Sequence, residues 1–218
     1  MTAGAFLDLA KFLQEQPNPD EEIYKYLSIT DRIRLGQWLD RLQVVRDFPI
    51  PTGKKKKIKQ AQRSRLQGKI LEQAVRVLLD GCKCISHGGN VRSTTSEIDF
   101  LIKIGPTGIV VPALRKAGTH LLGEAKCYAT APKTEWVNEL AGLLPSHGTN
   151  VAILFAASPP KKLHSEIRTS IAIHSGRGIS IIPFGLTQFG RVLSGENFLQ
   201  VLDDQAVKAS AHLSSLSV

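Results

Sequence analysis

Glu124 and Lys126 stand two residues apart in the stretch Leu121-Leu122-Gly123-Glu124-Ala125-Lys126-Cys127-Tyr128. In an extended strand, positions two apart share a face. The carboxylate and the amine therefore lie side by side, while Ala125 and Cys127 turn the other way. A second strand-like run, Glu97-Ile98-Asp99-Phe100-Leu101-Ile102, lies upstream. If the two runs pair, Asp99 comes to stand beside Glu124. Two carboxylates around one point offer hard oxygen ligands to a divalent cation. An amine next to them can steady negative charge or a reacting water.

Such a group needs strands to hold it and helices to cover those strands. Leu71, Ala74, Val75, Leu78 and Leu79 place a helix over 64–79. Glu72 lies among them, and two roles stay open for it: an exposed acid paired with Arg76 at i+4, or an acid held near the metal. Lys83-Cys84-Ile85-Ser86 begins a sheet, and His87-Gly88-Gly89-Asn90 reads as a turn before the Asp99 strand. Gly105-Pro106-Thr107-Gly108 is a further turn, Ile109-Val110-Val111 reads as a short extra strand, and 114–119 forms a loop carrying Arg115 and Lys116. The Glu124 strand follows, then a helix opened by Pro132. The apolar run Val151-Ala152-Ile153-Leu154-Phe155-Ala156 suits a buried parallel strand. A helix over 161–174, a strand over 178–183, a short helix over 186–193 and a helix around 198–213 complete the series. This order predicts an α/β fold, a mixed central sheet flanked by helices.

The first 48 residues read differently. Phe6, Leu9, Ala10 and Leu13 have helical spacing, Pro17 and Pro19 interrupt it, and a second helix is expected from Asp20 to Leu27. Thr30-Asp31 opens a third helix with Ile33, Leu35, Trp38, Leu39, Leu42 and Val45 on its apolar side, ended at Asp47-Phe48-Pro49. This appendage is too small to bury much core alone, so it packs on the rest of the chain or on a partner. The sharpest change in composition comes next: Lys54, Lys55, Lys56, Lys57 and Lys59, then Arg63 and Arg65. Clustered cations release counterions from nucleic acid, which makes this segment a phosphate-contacting arm. A solvated linker and a nuclear-targeting signal are the other readings of such a run.

The chain of 218 residues carries 28 Lys and Arg against 19 Asp and Glu, a formal net charge of +9. That balance favours a polyanionic partner. The apolar fraction of 42% is that of a globular protein. Cys82, Cys84 and Cys127 read as buried thiols in a reducing compartment. Cys82-x-Cys84 has only His87 nearby and lacks the remaining ligands of a zinc site. With no apolar run of membrane-spanning length and no secretory pattern, an intracellular location is expected. There is no Gly-x-Ser-x-Gly elbow and no phosphate-binding loop, which argues against serine hydrolase and ATP-dependent chemistry.

Asp99, Glu124 and Lys126, in their context of helix and two strands, resemble the signature of the PD-(D/E)xK nuclease superfamily. Ile98 stands where that signature's proline often lies. Many members carry a further acid on a preceding helix, the place of Glu72 here. Gly68-x-x-x-Glu72 and Glu124-x-Lys126 before an amphipathic helix are similar to the Mrr-type and archaeal Holliday-junction-resolvase branches. The resemblance implies a restriction-endonuclease-like domain over 66–195, with a helical appendage at 1–48, a basic linker at 49–65 and a tail at 196–218. It also implies a Mg²⁺-dependent endonuclease acting on DNA, with Mn²⁺ as a substitute metal. Asp99, Glu124 and the Ala125 carbonyl would hold the metal, Lys126 would attend the water, and Glu72 would assist. A homodimer, or a partner protein bound through the N-terminal helices, would complete the assembly. A noncatalytic nucleic-acid-binding protein on the same fold is the rival reading.

Overall fold

Strands buried on both faces read as near-continuous apolar runs, whereas strands at an edge tolerate polar and glycine residues. Both kinds occur in one five-stranded sheet with the order β1-β2-β3-β4-β5. The structure is a computed structural model that describes residues 11, 14–15, 27–49, 56–92, 97–127, 134–157 and 165–211. The strands are β1 (Ile85–Arg92), β2 (Glu97–Ile104), β3 (His120–Lys126), β4 (Val151–Ala156) and β5 (Ser180–Gly185). β1, β2 and β3 form an antiparallel meander. β3, β4 and β5 are parallel. The parallel strands are joined through α4 (Thr134–Leu143) and α5 (Ser165–Gly176), as parallel connections require. The expected α/β architecture with a mixed sheet and flanking helices is therefore present.

The alternation of side chains splits the core into two layers. Ile102, Leu121, Ile153, Phe155, Ile182 and Phe184 face one side, under α1 (Ile29–Asp47), α2 (Lys56–Asp80), α6 (Leu186–Leu193) and α7 (Phe198–Ala211). Leu122, Ala152, Leu154 and Ile181 face the other, under Val137 and Leu140 of α4 and Ile167 and Ile171 of α5. Gly123 lets β2 approach β3 closely, because a Cβ there would come 3.1 Å from Phe100 Cβ.

Several local expectations are corrected. The helix expected from Ser64 starts at Lys56, so the second half of the 49–65 linker is helical. Lysine is a good helix former, and Arg63 ties this helix to α1 by donating to the carbonyls of Arg46 (3.3 Å) and Phe48 (3.0 Å). The turn expected at 87–90 is strand: Gly88 and Gly89 lie in β1, where the Arg76 guanidinium occupies the space a Cβ of Gly89 would need. The strand expected at 109–111 is instead a 3₁₀ turn (Pro106–Val110) leading into α3 (Pro112–Arg115). Each begins with a proline, whose fixed φ suits the first helical position. Ile33, placed on the apolar side of its helix, is 56% exposed, while Leu35 and Leu42 are buried.

The described residues of the 1–48 and 196–218 segments also contribute to the main core. Ser28 caps α1 by accepting from the Asp31 N–H at 3.0 Å, and Leu35 and Leu42 of α1 join the first layer. So do Phe198, Leu199, Val201 and Leu202 of α7. The helices expected before Leu27 lie outside the described residues, apart from the isolated positions 11, 14 and 15. The three cysteines are buried and form no disulfide among the described residues, and burial pushes the Cys84 and Cys127 thiols up to about 11. Among the described residues, no helix is long and apolar enough to cross a membrane.

Candidate active site

The site lies where β2 and β3 part. The Lys126 carbonyl accepts from the Ala157 N–H at 3.2 Å, continuing the β3–β4 ladder. A strand offers alternate residues to alternate sides, so Ala125 turns its main-chain groups toward β2. There the pairing runs from Lys103–His120 to Phe100–Gly123 and stops. The Ala125 N–H instead donates to Asp99 Oδ2 at 2.8 Å. The Asp99 carboxylate thus takes the place of a ladder bond just where the strands separate. Alternation in β2 breaks at the same residue: Phe100 and Ile102 enter the first core layer, but Ile98 enters the second.

On β3, Glu124 and Lys126 share the face of Leu122, and Lys126 Nζ lies 2.5 Å from Glu124 Oε1. Both side chains are mostly buried, at 13% exposure for Glu124 and 22% for Lys126. Burial pushes the Glu124 carboxyl above the ordinary glutamate range, and the charge of Asp99 pushes it further. Lys126 pulls the other way without cancelling them. Two mutually repelling carboxylates in a partly desolvated corner favour an added positive charge. With the Ala125 carbonyl turned to the same gap, the donors are all oxygen, the set that Mg²⁺ or Mn²⁺ accepts. The residues present therefore fit a hard divalent cation.

Among the described residues, no group of three or more His, Cys, Asp or Glu side chains is placed to hold a metal ion. Glu72 sits half-buried on α2, one turn before Arg76. The Arg76 guanidinium lies 5.5 Å from the centre of the Phe100 ring.

The position of Arg76 against Gly89 and Phe100 also gives the direction of α2. The helix ends near the start of β1, where Asp80 Oδ1 lies 2.8 Å from His87 Nε2. Running backwards, α2 passes the height of Asp99 and continues beyond the sheet. At ~1.5 Å per residue, Arg65 lies ~16 Å and Lys57 ~28 Å before Arg76 along the axis. The basic turns therefore extend from the site's end of the molecule. Lys57, Lys59 and Arg65 are exposed there, and Lys69 continues the row four residues after Arg65. That i, i+4 spacing was the available sign of Lys69. Arg63 is partly committed to capping α1. The Lys56 side chain, Lys54 and Lys55 lie outside the described residues.

Arg115 and Lys116, the cations of the 114–119 stretch, follow the far end of the sheet. Their loop precedes His120, which pairs with Lys103, and ~13 Å of strand separates His120 from Glu124. His87 packs in β1 against the Phe100 ring, with centroids 6.2 Å apart.

No family model matches the chain, and no curated protein or solved structure matches it either.

Glu124 gives a pH-dependent prediction. A carboxyl whose folded pKa is raised binds its proton more tightly in the native state. Its contribution to stability is fully present below the unfolded glutamate range and is lost as pH rises through the folded value. Glu124→Gln removes that titration. The variant is therefore expected to gain thermal stability relative to wild type as pH rises above the ordinary glutamate range. Differential scanning calorimetry of metal-free protein checks this. A difference in Tm that does not change with pH would show that Glu124 is not strained by its burial and by Asp99.

Proposed function

We propose that this chain is a metal-dependent endonuclease that hydrolyses DNA phosphodiester bonds, built on a restriction-endonuclease-like core of the PD-(D/E)xK kind. The observation that carries the reading is the meeting of Asp99, Glu124, Ala125 and Lys126 at the point where β2 parts from β3. The element order of helix, three-stranded meander, helix and parallel strand supports it. So does the basic stretch of α2 beyond the same end of the sheet.

Asp99, Glu124 and the Ala125 carbonyl would hold Mg²⁺ or Mn²⁺. When bound, that cation supplies charge to the phosphate and acidifies a water. The chain's own residues do the rest. Asp99 holds its carboxylate fixed through the Ala125 N–H, so the oxygen donors are positioned before substrate arrives. Lys126, beside Glu124 at the same point, would donate to the attacking water and to the phosphoryl oxygen on which charge builds. The exposed lysines and arginines of α2 neutralise backbone phosphates and set where the strand lies, without reading its bases.

The test is digestion of a substrate panel with Mg²⁺, Mn²⁺ or EDTA, holding supercoiled plasmid, linear duplex, single strands, a four-way junction and RNA. Metal-dependent product from a DNA member is expected, and the member cut names the substrate class. Binding with no product from any member would favour the noncatalytic nucleic-acid-binding reading.

A further inference from the structure

Nuclease chemistry leaves one feature of the fold unused. At the corner where α1 ends and α2 begins, Val44, Val45, Phe48 and Pro49 face Lys59, Gln62, Arg63 and Leu66 across a cavity of about 340 Å³. The α2 residues follow i, i+3, i+4, i+7 spacing, which makes one continuous stripe. Apolar residues on both sides of the cavity are open to solvent: Val44 is 66% exposed, Phe48 68% and Leu66 48%. Clustered exposure of large apolar side chains in a concave site marks a place where another surface docks. The corner is also held in shape, because Arg63 is bonded to the last carbonyls of α1.

We propose that this groove binds a short apolar segment flanked by carboxylates and carried by a partner protein. Charge selects the occupant. The groove has Lys59 and Arg63 at its rim and no acidic residue among the described residues of its lining, so an apolar segment with acidic flanks satisfies both parts of it. A second copy of the chain is disfavoured, since each brings a net charge of +9. Nucleic acid would meet the cations but leave Val44, Phe48 and Leu66 in water. On α2, Lys57 and Arg65 lie outside the groove lining, which leaves them for phosphate. The two surfaces thus meet at Lys59, but the apolar part of the groove does not depend on the nuclease reading.

The test uses the full chain and a fluorescein-labelled amphipathic peptide with Leu at i and i+4 on one face and Glu on the others. A second peptide keeps the leucines and replaces each Glu with Lys. Fluorescence anisotropy should show saturable binding of the acidic peptide alone. Phe48→Asp and, separately, Leu66→Asp should weaken it at least ~10-fold, the scale of an interface hot spot. Both positions are exposed, so circular dichroism should match wild type, and the uncharged Phe48→Ser and Leu66→Ser should leave affinity for duplex DNA unchanged. Equal binding of the two peptides, or undiminished binding by both aspartate variants, would overturn the proposal. Concentration-dependent dimerisation abolished by Phe48→Asp would also overturn it, assigning the groove to a second copy. Loss of DNA affinity in both serine variants would overturn it in favour of nucleic acid.

Discussion

Asp99→Asn is expected to abolish metal-dependent cutting, with a loss of ~10³-fold or more, while leaving the fold in place. Removing one preorganised electrostatic group commonly costs ~10²–10³-fold, and this change also removes a charged oxygen from the metal's ligand set. The folded structure should tolerate it, because the asparagine carbonyl can accept from the Ala125 N–H as Asp99 Oδ2 now does at 2.8 Å. Removing the negative charge also relieves the repulsion that raises the Glu124 carboxyl. Tm should therefore hold or rise as activity disappears. Single-turnover cleavage beside a thermal melt checks both halves. Activity within ~10-fold of wild type would remove Asp99 from the catalytic machinery.

The second large effect concerns stability. Phe155 is fully buried in β4, with ring centroids 6.3 Å from Phe100, 5.7 Å from Phe184 and 6.5 Å from Phe189. Phe155→Ala leaves a cavity among three aromatic rings and is expected to cost ~3–5 kcal/mol. That is a large share of the ~5–15 kcal/mol that holds an ordinary domain together. Phe48→Ala, at an exposed position, should stay within ~0.5 kcal/mol. Urea unfolding of the two variants makes the comparison, and a small loss at Phe155 would mean that the centre of the sheet repacks. Phe155 also pairs with Ala125 across the β3–β4 ladder. The same variant should therefore lose activity beyond its folded fraction, because the strand carrying the site is loosened.

The parts of this fold that were legible in the sequence are those governed by strand parity. Glu124 and Lys126 share a face because they are two apart, and the run from Val151 to Ala156 is apolar enough to identify a strand covered on both sides. The break in β2 at Asp99 was not legible. It depends on where the β2–β3 pairing stops, which is a tertiary outcome. The start of α2 was hidden because a lysine run reads equally as solvated coil or helix, and the deciding contact comes from Arg63 to the α1 carbonyls. Gly88 and Gly89 carry the local mark of a turn, yet they sit in an edge strand where an arginine lies across the backbone. Local propensity lost to packing in each case.

Conversion of supercoiled plasmid to nicked or linear product tests the central claim most directly, with wild type and Lys126→Ala run side by side in Mg²⁺ and in EDTA. The proposed mechanism predicts product from wild type in Mg²⁺ alone, and none from Lys126→Ala although it binds the same DNA. Product that forms equally in EDTA, or that forms undiminished without Lys126, would contradict it.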